Sequence, residues 1–309
     1  MLRIVCIGEC MAELAESSLS NTYSLGFAGD TYNAAVYCKR ILRDRAVVAY
    51  LTAVGSDPLS TKMLDHFRLE EIDRRWVRIK AGKQAGLYFI ENDVHGERSF
   101  YYYRSDSAAR RMFAEATAET LVNELTAFDL IYLSGITLAI LDSAERQVLY
   151  DALQRLADGR IIAFDPNYRS VLWPSAEEAR QASKIMGKTA TIVLTGSDDE
   201  TTLWHNDERR RMIDRWLSWG CQEVVVKDGV AGCLIAYRGE VLHVPVLRKC
   251  VPVDTTGAGD SFCAAYLCGR LQGLAPRQAG ERGHRLAQRV VMHKGGVIPR
   301  DATELSEGT

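Results

Sequence analysis

The chain of 309 residues contains no long hydrophobic run and no marked excess of either charge. No apolar stretch approaches the roughly 20 residues that a membrane-spanning helix needs. The formal net charge is −2, which argues against the broad basic surface of nucleic-acid-binding and membrane-surface proteins. We therefore expect neither a nucleic acid nor a membrane among the partners of this protein.

Paired cysteines are also missing. The eight cysteines include no Cys-x-x-Cys pair, and most of them lie within apolar segments. This pattern is typical of reduced thiols in a protein core. Unpaired, buried thiols are typical of a reducing compartment, so we expect a cytoplasmic protein.

The glycines of a dinucleotide site are absent from the first turn. The first predicted strand covers residues 3–8 and ends at Gly8. A Rossmann site needs two more glycines in the turn that follows, where this chain has Cys10 and Glu13. A nicotinamide-dependent oxidoreductase is therefore disfavoured.

Strands and helices are predicted to alternate along the second half of the chain. The strands are predicted at 130–134, 160–164, 191–194 and 223–226, and the helices around 142–158, 175–188, 198–219 and 276–293. Such alternation is typical of a parallel sheet with helices on both faces. We expect a single α/β domain over residues 1–309, built on a doubly wound, mostly parallel sheet.

A predicted hairpin interrupts this pattern near the middle of the chain. Its strands lie within residues 86–104, its turn is at 93–96, and it is rich in aromatic residues. Aromatic residues have high strand propensity, so ordinary β-structure explains much of this composition. A hairpin flanked by βα units does not fit a parallel sheet, however. We predict a small β-sheet lid, with strands inserted from about residues 10–27 and 76–104.

The candidate catalytic stretch runs from Asp254 to Asp260 and leads into an apolar helix. Because Gly257 and Gly259 have no Cβ, backbone N–H groups around Ala258 can approach a phosphate at the helix start. A carboxylate there would repel a phosphate unless it had a task, such as accepting a proton from an attacking hydroxyl. The alternative is an ordinary glycine turn in which Asp260 caps the helix.

A second glycine-rich turn precedes the first predicted helix. Asp30 follows Gly29, and Asn33 falls one helical turn later on the same side. The two side chains and the Gly29 backbone could therefore converge on the hydroxyls of a sugar. The alternative is that Asp30 only caps the helix.

Four stretches in this order resemble the ribokinase-like (PfkB) carbohydrate kinases. They are Gly29-Asp30-x-x-Asn33, the segment 194–200, Lys227-x-Gly229-x-x-Gly232, and the signature 254–260. Two positions depart from the family pattern. Ala28 replaces a glycine, which would strain the turn if position 28 needed a positive φ. Ser197 replaces an asparagine that lies near phosphate and magnesium in the family, while the accompanying Glu200 is retained.

The resemblance is strongest to members of the family that act on sugar acids. It rests on residues 8–11, 26–31, 96–104, 133–141 and 164–169. The implied or predicted substrate residues are Gly29, Asp30, Asn33, Tyr88, Tyr102, Tyr103, Arg104, Arg169 and Asp260. The implied nucleotide residues are Asn167, Ser197, Lys227, Gly229, Gly232, Gly257, Ala258 and Gly259. Asp260 is the expected base, and residues 257–259 would stabilise charge on the transferring phosphoryl group.

The resemblance further implies ATP and Mg²⁺ as cofactors, a small sugar acid as substrate and a homo-oligomer built through the lid. No metal ligand is assigned. Two alternatives remain open at this point. A kinase for neutral sugars, such as a fructokinase or ribokinase, is disfavoured by Arg104 and Arg169, because a neutral sugar offers no anion to pair. A nucleotide-binding regulator without turnover is disfavoured by Asp260.

Overall fold

The computed structural model describes residues 1–17, 21–92, 98–206, 208–248 and 250–303. The strands are β1 Leu2–Ile7, β2 Met11–Glu16, β3 Tyr23–Ala28, β4 Ala46–Val54, β5 Val77–Ile79, β6 Gly86–Asn92, β7 Arg98–Tyr103, β8 Leu130–Ser134, β9 Ile161–Asp165, β10 Ile192–Gly196, β11 Glu223–Lys227, β12 Cys233–Tyr237 and β13 Glu240–Val244. The helices are α1 Asp30–Leu42, α2 Pro58–Leu69, α3 Ala118–Leu125, α4 Gly135–Ile140, α5 Ser143–Leu156, α6 Ala176–Thr189, α7 Ser197–Trp204, α8 Arg209–Trp219, α9 Ala258–Leu271 and α10 Pro276–Val290.

The larger sheet has nine strands in the order β13-β12-β11-β10-β9-β8-β1-β4-β5. Its strands run parallel except for the hairpin β12–β13 at one edge. One face packs against α1, α9 and α10, and the other packs against α3, α5, α6 and α8. Because both faces are covered, the strands are apolar almost throughout. The prediction of a doubly wound, mostly parallel sheet is confirmed.

One predicted helix is divided in two. Residues 198–219 were expected to form a single helix, but α7 ends at Trp204 and α8 begins at Arg209. The chain leaves α7 at His205, which adopts the left-handed conformation with φ 54°. A left-handed residue at this position ends an α-helix.

The smaller sheet has the strand order β3-β2-β6-β7 and forms the lid. The predicted second sheet is therefore confirmed. One boundary was wrong: β5 lies inside the segment 76–104 but pairs with β4 at the edge of the larger sheet. The predicted turn at 93–96 lies outside the described residues. The assignment of the whole chain to one domain stays a prediction.

Among the described residues, no helix is both long enough and apolar enough to span a bilayer.

The lid sheet has an inner and an outer face, because side chains alternate along a strand. The register pairs Tyr88 with Tyr102 and Phe89 with Tyr101. Tyr88 and Tyr102 thus lie on the same face of the lid sheet, and Glu13, which pairs with Tyr88, lies there too. This is the inner face, because Glu13 approaches the segment after α10: its carboxylate would lie 3.8 Å from a Cβ added to Gly295. The inner face covers the carboxyl ends of the parallel strands, where open α/β sheets bind ligands.

Candidate active site

The start of α9 forms a turn that only glycine permits at its first position. Gly257 has φ 76°, and a Cβ there would lie 2.5 Å from the carbonyl oxygen of Gly296. Ala258 turns its N–H back to the carbonyl oxygen of Thr255 at 3.2 Å. The first intrahelical donor is Ser261, whose N–H bonds the carbonyl oxygen of Gly257 at 2.9 Å, so the N–H groups of Gly259 and Asp260 precede it and add to the positive end of the helix. This turn is chemically suited to an anion such as phosphate.

Asp260 lies in the first turn of α9, beside this glycine turn. The Nδ2 of Asn33 donates a hydrogen bond to its Oδ2 over 2.8 Å. The N–H of Gly29 donates to Oδ1 of the same asparagine at 3.3 Å, which holds the amide with its nitrogen toward Asp260. One oxygen of the carboxylate is therefore bound, and the other remains for a substrate hydroxyl.

The surroundings of Asp260 make it a good proton acceptor near neutral pH. Burial raises the pKa of Asp260 to about 7, and the negative charges of Asp30 and Asp165 add to the rise. The hydrogen bond from Asn33 and the charge of Lys227 oppose it. A base is most effective when its pKa is close to the working pH, so this site suits general-base catalysis.

The turn before α1 brings Gly29 and Asp30 into the same site. Gly29 is extended, and a Cβ there would lie 2.1 Å from the carbonyl oxygen of Glu9. Asp30 accepts a hydrogen bond from Nδ2 of Asn167 at 2.8 Å. Ala28 ends β3 in extended conformation and has no positive φ, so the strain considered for this position does not arise.

Lys227 ends β11 with its ammonium group close to the glycine turn at residues 257–259, which we call the phosphate turn because its geometry suits an anion. Its Nζ lies 2.6 Å from Oδ2 of Asp165 and 3.3 Å from Sγ of Cys263. A Cβ on Gly259 would come within 3.6 Å of the same nitrogen. Of the predicted nucleotide residues, Lys227 is thus placed beside the glycine turn.

The glycines after Lys227 shape the predicted nucleotide loop in different ways. Gly229 has φ 52°, and a Cβ there would meet no atom within 4 Å. Gly232 has φ 98°, and a Cβ there would lie 2.3 Å from the carbonyl oxygen of Val244. Both positions favour glycine because φ is positive. At Gly232 a side chain would in addition clash with the backbone of Val244.

The segment around Ser197 is bound to neighbouring protein groups. Ser197 donates a hydrogen bond to Asp228 at 2.7 Å. Glu200 is buried and accepts hydrogen bonds from Thr195 at 3.0 Å and from Nε1 of Trp216 at 2.6 Å. The carboxylate of Glu200 is thus engaged inside the fold, and the nearness to phosphate and magnesium that the resemblance implies for this segment stays a prediction.

The inner face of the lid brings two predicted tyrosines together. Tyr88 is buried, and its hydroxyl donates to the carboxylate of Glu13. Its ring centroid lies 5.6 Å from that of Tyr102. Burial raises the pKa of Tyr102, whereas the charges of Arg104 and Arg169 lower it. Both arginines therefore act on the same tyrosine at the inner face.

Each of these arginines already has an acidic partner. Arg104 forms a buried ion pair with Glu9. Arg169 is half exposed and lies 3.0 Å from Asp199. A substrate carboxylate would therefore join existing ion pairs at this position and would not meet two free cations.

Tyr103 lies on the other side of the lid. It is 63% exposed, and its ring packs 5.8 Å from that of Phe89 on the outer face. The structure therefore does not bring its side chain to the other predicted substrate residues. The physical reason is the alternation of side chains along β7.

Sequence reasoning missed several residues of the site, namely Glu9, Glu13, Asp165, Gly295 and Gly296. The glycine pair directly after the last predicted helix was the available signal. Gly295 has φ 86° and donates its N–H to Asp254 at 2.7 Å. A Cβ on Gly296 would lie 2.6 Å from the Nδ2 of Asn33.

Comparisons with known proteins identify the family of this chain. The family model described as pfkB family carbohydrate kinase matches residues 1–303. The 2-dehydro-3-deoxygluconokinase of Dickeya dadantii (strain 3937) is 42% identical over 304 residues, which cover 97% of each chain. That of Escherichia coli (strain K12) is 40% identical over 305 residues, covering 97% of this chain and 98% of that protein.

A solved structure is similar over nearly the whole chain. The PfkB protein from Polaromonas sp. JS666 has a TM-score of 0.81 and 25% sequence identity, covering 97% of this chain and 98% of that one. The family model, the full-length relatives and the shared fold all agree on one family. This chain belongs to the pfkB family of carbohydrate kinases.

Proposed function

We propose that this protein transfers the γ-phosphoryl group of ATP to the 6-hydroxyl of 2-keto-3-deoxygluconate (2-dehydro-3-deoxygluconate), giving 2-keto-3-deoxy-6-phosphogluconate. The observation that carries the proposal is the position of Asp260. A carboxylate whose pKa is about 7 lies beside a glycine turn suited to phosphate. The full-length relatives named for this activity support the choice of substrate.

In the proposed reaction Asp260 accepts the proton of the 6-hydroxyl as the oxygen attacks the γ-phosphorus. Asn33 occupies one carboxylate oxygen, so the proton goes to the other. The new P–O bond forms as the bond to the ADP oxygen breaks, and negative charge spreads over the phosphoryl oxygens. The N–H groups of Gly257 and Gly259 and the positive end of α9 stabilise that charge, whereas the N–H of Ala258 is bound to Thr255.

ATP is proposed to lie along residues 229–232 and to direct its phosphates at the start of α9. The described residues contain no group of three or more His, Cys, Asp or Glu side chains arranged to hold a metal. Magnesium in kinases is commonly bound by nucleotide phosphates with one or two protein carboxylates, so this arrangement is compatible with Mg²⁺ entering with ATP. When bound, the ion neutralises phosphate charge.

The substrate carboxylate is proposed to bind near Tyr102, where the charges of Arg104 and Arg169 meet. A charge-assisted hydrogen bond contributes about 1.5–3 kcal/mol. Each arginine should therefore favour an acid over a neutral sugar by about one to two decades in kcat/KM. Tyr88 donates its proton to Glu13, which leaves the phenol oxygen to accept from a sugar hydroxyl.

The test is ADP formation by the purified protein with 2-keto-3-deoxygluconate, with fructose, with ribose and without sugar. We expect turnover with the sugar acid, with kcat/KM at least about tenfold above that for either neutral sugar. Equal or higher rates with fructose or ribose would assign a neutral-sugar kinase. ATP binding without turnover on any of them would assign a regulator.

A homo-oligomer built through the lid is proposed on the composition of its outer face. Four large side chains on this face are 39–63% exposed, namely Tyr23, Leu25, Tyr101 and Tyr103. A contiguous apolar patch of this kind marks a protein interface. Light scattering should show a dimer or larger species for the protein and a smaller one for Tyr101→Glu/Tyr103→Glu. An unchanged mass would contradict the lid interface.

A cytoplasmic location is proposed from the cysteines. All eight are free, and only Cys250 is exposed. Free thiols persist in reducing compartments, which also hold ATP.

A further inference from the structure

A buried charge pair lies next to the phosphate turn, and the proposed function assigns it no role in the chemical step. Asp165 ends β9 and is 3% exposed, and Lys227 ends β11 two strands away. Their charged atoms are 2.6 Å apart. The thiol of Cys263, one turn after Asp260 in α9, lies 3.3 Å from Nζ of Lys227 and 3.4 Å from Asp165.

We propose that Asp165 is a positioning residue that holds the ammonium of Lys227 against the phosphate turn, where it contacts the transferring phosphoryl group. This inference rests on the proposed kinase function and extends it. The ammonium group has two fixed neighbours and lies 3.6 Å from the Cβ position of Gly259. A long lysine side chain normally samples many rotamers, so this anchoring removes a large part of its freedom before the substrate arrives.

Lys227 keeps its charge in this position. Burial lowers the pKa of Lys227, but the charge of Asp165 and the contact with Cys263 raise it above the ordinary value. The cation is thus present at any pH at which the protein works. A positive charge that is fixed in advance stabilises phosphoryl charge without rearranging during the reaction.

The pair also acts on the catalytic base, and its two members act in opposite directions. Asp165 raises the pKa of Asp260, and Lys227 lowers it. The other titratable groups that interact with Asp260 are Asp30 and Tyr37 on α1, Tyr132 on β8 and Cys263 on α9. Among these groups, all from the described part of the chain, only Asp165 and Lys227 form a pair of opposite charges, so their effects on the pKa of Asp260 oppose each other while the pair supplies a cation.

The balance predicts shifts of opposite sign in two variants. In Asp165→Asn the lysine charge is uncompensated, so the pKa of Asp260 falls and the acidic limb of the kcat/KM profile moves to lower pH. In Lys227→Met the carboxylate is uncompensated, so the limb moves to higher pH. In the double variant both charges are gone, and the limb returns toward that of the unaltered protein. A merely structural pair would not produce opposite shifts.

The rates give a second readout. Lys227→Met loses a charge contact to the phosphoryl group, so kcat with the sugar acid should fall about 100- to 1,000-fold while KM for ATP changes less than about threefold. Asp165→Asn keeps the cation but loosens it, and kcat should fall about 100-fold. Cys263→Ala is the matched control, because it removes a neutral neighbour of both groups. The acidic limb of the kcat/KM profile of Cys263→Ala should lie at the same pH as that of the unaltered protein.

The experiment measures kcat and KM from pH 5.5 to 9 for the unaltered protein and the four variants, with ATP binding followed by calorimetry. If Asp165→Asn does not fold, Lys227→Met and the double variant still carry the test. Limb shifts of the same sign, or a Lys227→Met variant with raised KM for ATP and normal kcat, would overturn the proposal. Absence of turnover in the unaltered protein would instead contradict the kinase function.

Discussion

Asp260 combines its proposed catalytic task with a cost to stability. Its pKa is about 7 in the folded protein, whereas an aspartate in an unfolded chain has a pKa of about 3.9. Between these values the folded state binds more protons than the unfolded state. By linkage, this group's contribution to stability is present at low pH and is lost as pH rises from about 4 to about 7.

The first prediction follows from this linkage. Asp260→Asn removes the titration, so its free energy of unfolding should fall less between pH 5 and pH 8 than that of the unaltered protein. At pH 8 the variant should be the more stable of the two. Urea denaturation at both pH values measures the difference. Equal changes in the two proteins would contradict a raised pKa at Asp260.

The second prediction concerns the same variant in catalysis. An amide cannot accept the proton of the 6-hydroxyl, so kcat of Asp260→Asn should fall by about two to four decades. The affinity for ATP should stay within about threefold, because the side chain's hydrogen-bond partner is Asn33 and not the nucleotide loop. If Asp260 were only a helix cap, the variant would instead lose about 0.5–2 kcal/mol of stability and keep its turnover.

The third prediction separates the two arginines of the proposed substrate site. Arg104→Met leaves the buried carboxylate of Glu9 unpaired, which costs about 3–5 kcal/mol of stability. Arg169→Met removes a half-exposed pair and should cost only about 0–1 kcal/mol. Thermal unfolding compares the two directly. Comparable losses would mean that the Glu9–Arg104 pair contributes no more than a surface contact.

Kinetics with Arg169→Met test the proposed site for the substrate carboxylate. Arg169→Met should lower kcat/KM for the sugar acid by one to two decades and change that for a neutral analogue much less. An equal factor on both substrates would assign Arg169 to ATP or to the fold.

At the scale of elements, the start of α9 depends on its packing against the segment after α10. Gly257 and Gly239, which lies in the turn between β12 and β13, both have positive φ, but of the two only Gly257 packs against another backbone, at Gly296. The pair therefore separates the cost of conformation from the cost of a clash. Strain at positive φ costs about 1–3 kcal/mol at either position.

The fourth prediction uses this matched pair. Gly257→Ala must also displace the segment that contacts Asn33, and through it Asp260, so kcat should fall at least tenfold in a protein that still folds. Gly239→Ala should lose stability with kcat nearly unchanged, because Gly239 lies outside the proposed nucleotide and substrate sites. Steady-state rates and melting temperatures of both variants give the comparison. Equal effects on kcat would show that the packing against Gly296 is irrelevant to the base.

At the scale of the whole molecule, the sequence predicts what depends on local pattern. The alternation of predicted strands and helices correctly predicted the parallel sheet, and the glycines before Asp260 predicted the turn at the start of α9. The sequence does not reveal contacts between distant residues. Asn33 and Asp260 are 227 positions apart, and Asp165 and Lys227 are 62 apart. No local signal pairs them.

The strand β5 shows the same limit for the fold. It has three residues, Val77–Ile79, and its composition suits the lid and the larger sheet equally. Its place is decided by pairing with β4, which is a tertiary event. Glu200 is a further example, since a carboxylate near a predicted phosphate loop can be engaged by Trp216 and Arg215 inside the fold.

The last prediction concerns the lid as a moving part. Its inner face carries Tyr88 and Tyr102 above the site, and its own apolar cluster is small, consisting of four buried residues, Met11, Ala28, Tyr88 and Ile90. Elements with few buried contacts open most readily, and lids belong to this class. Saturating sugar acid should slow amide hydrogen exchange in β6 and β7, because the substrate bridges the lid to the larger sheet. The hairpin β12–β13 at the far edge of the larger sheet is the internal control and should exchange at the same rate with and without substrate. Unchanged exchange in the lid, or equal slowing in both hairpins, would show that substrate does not act through the lid.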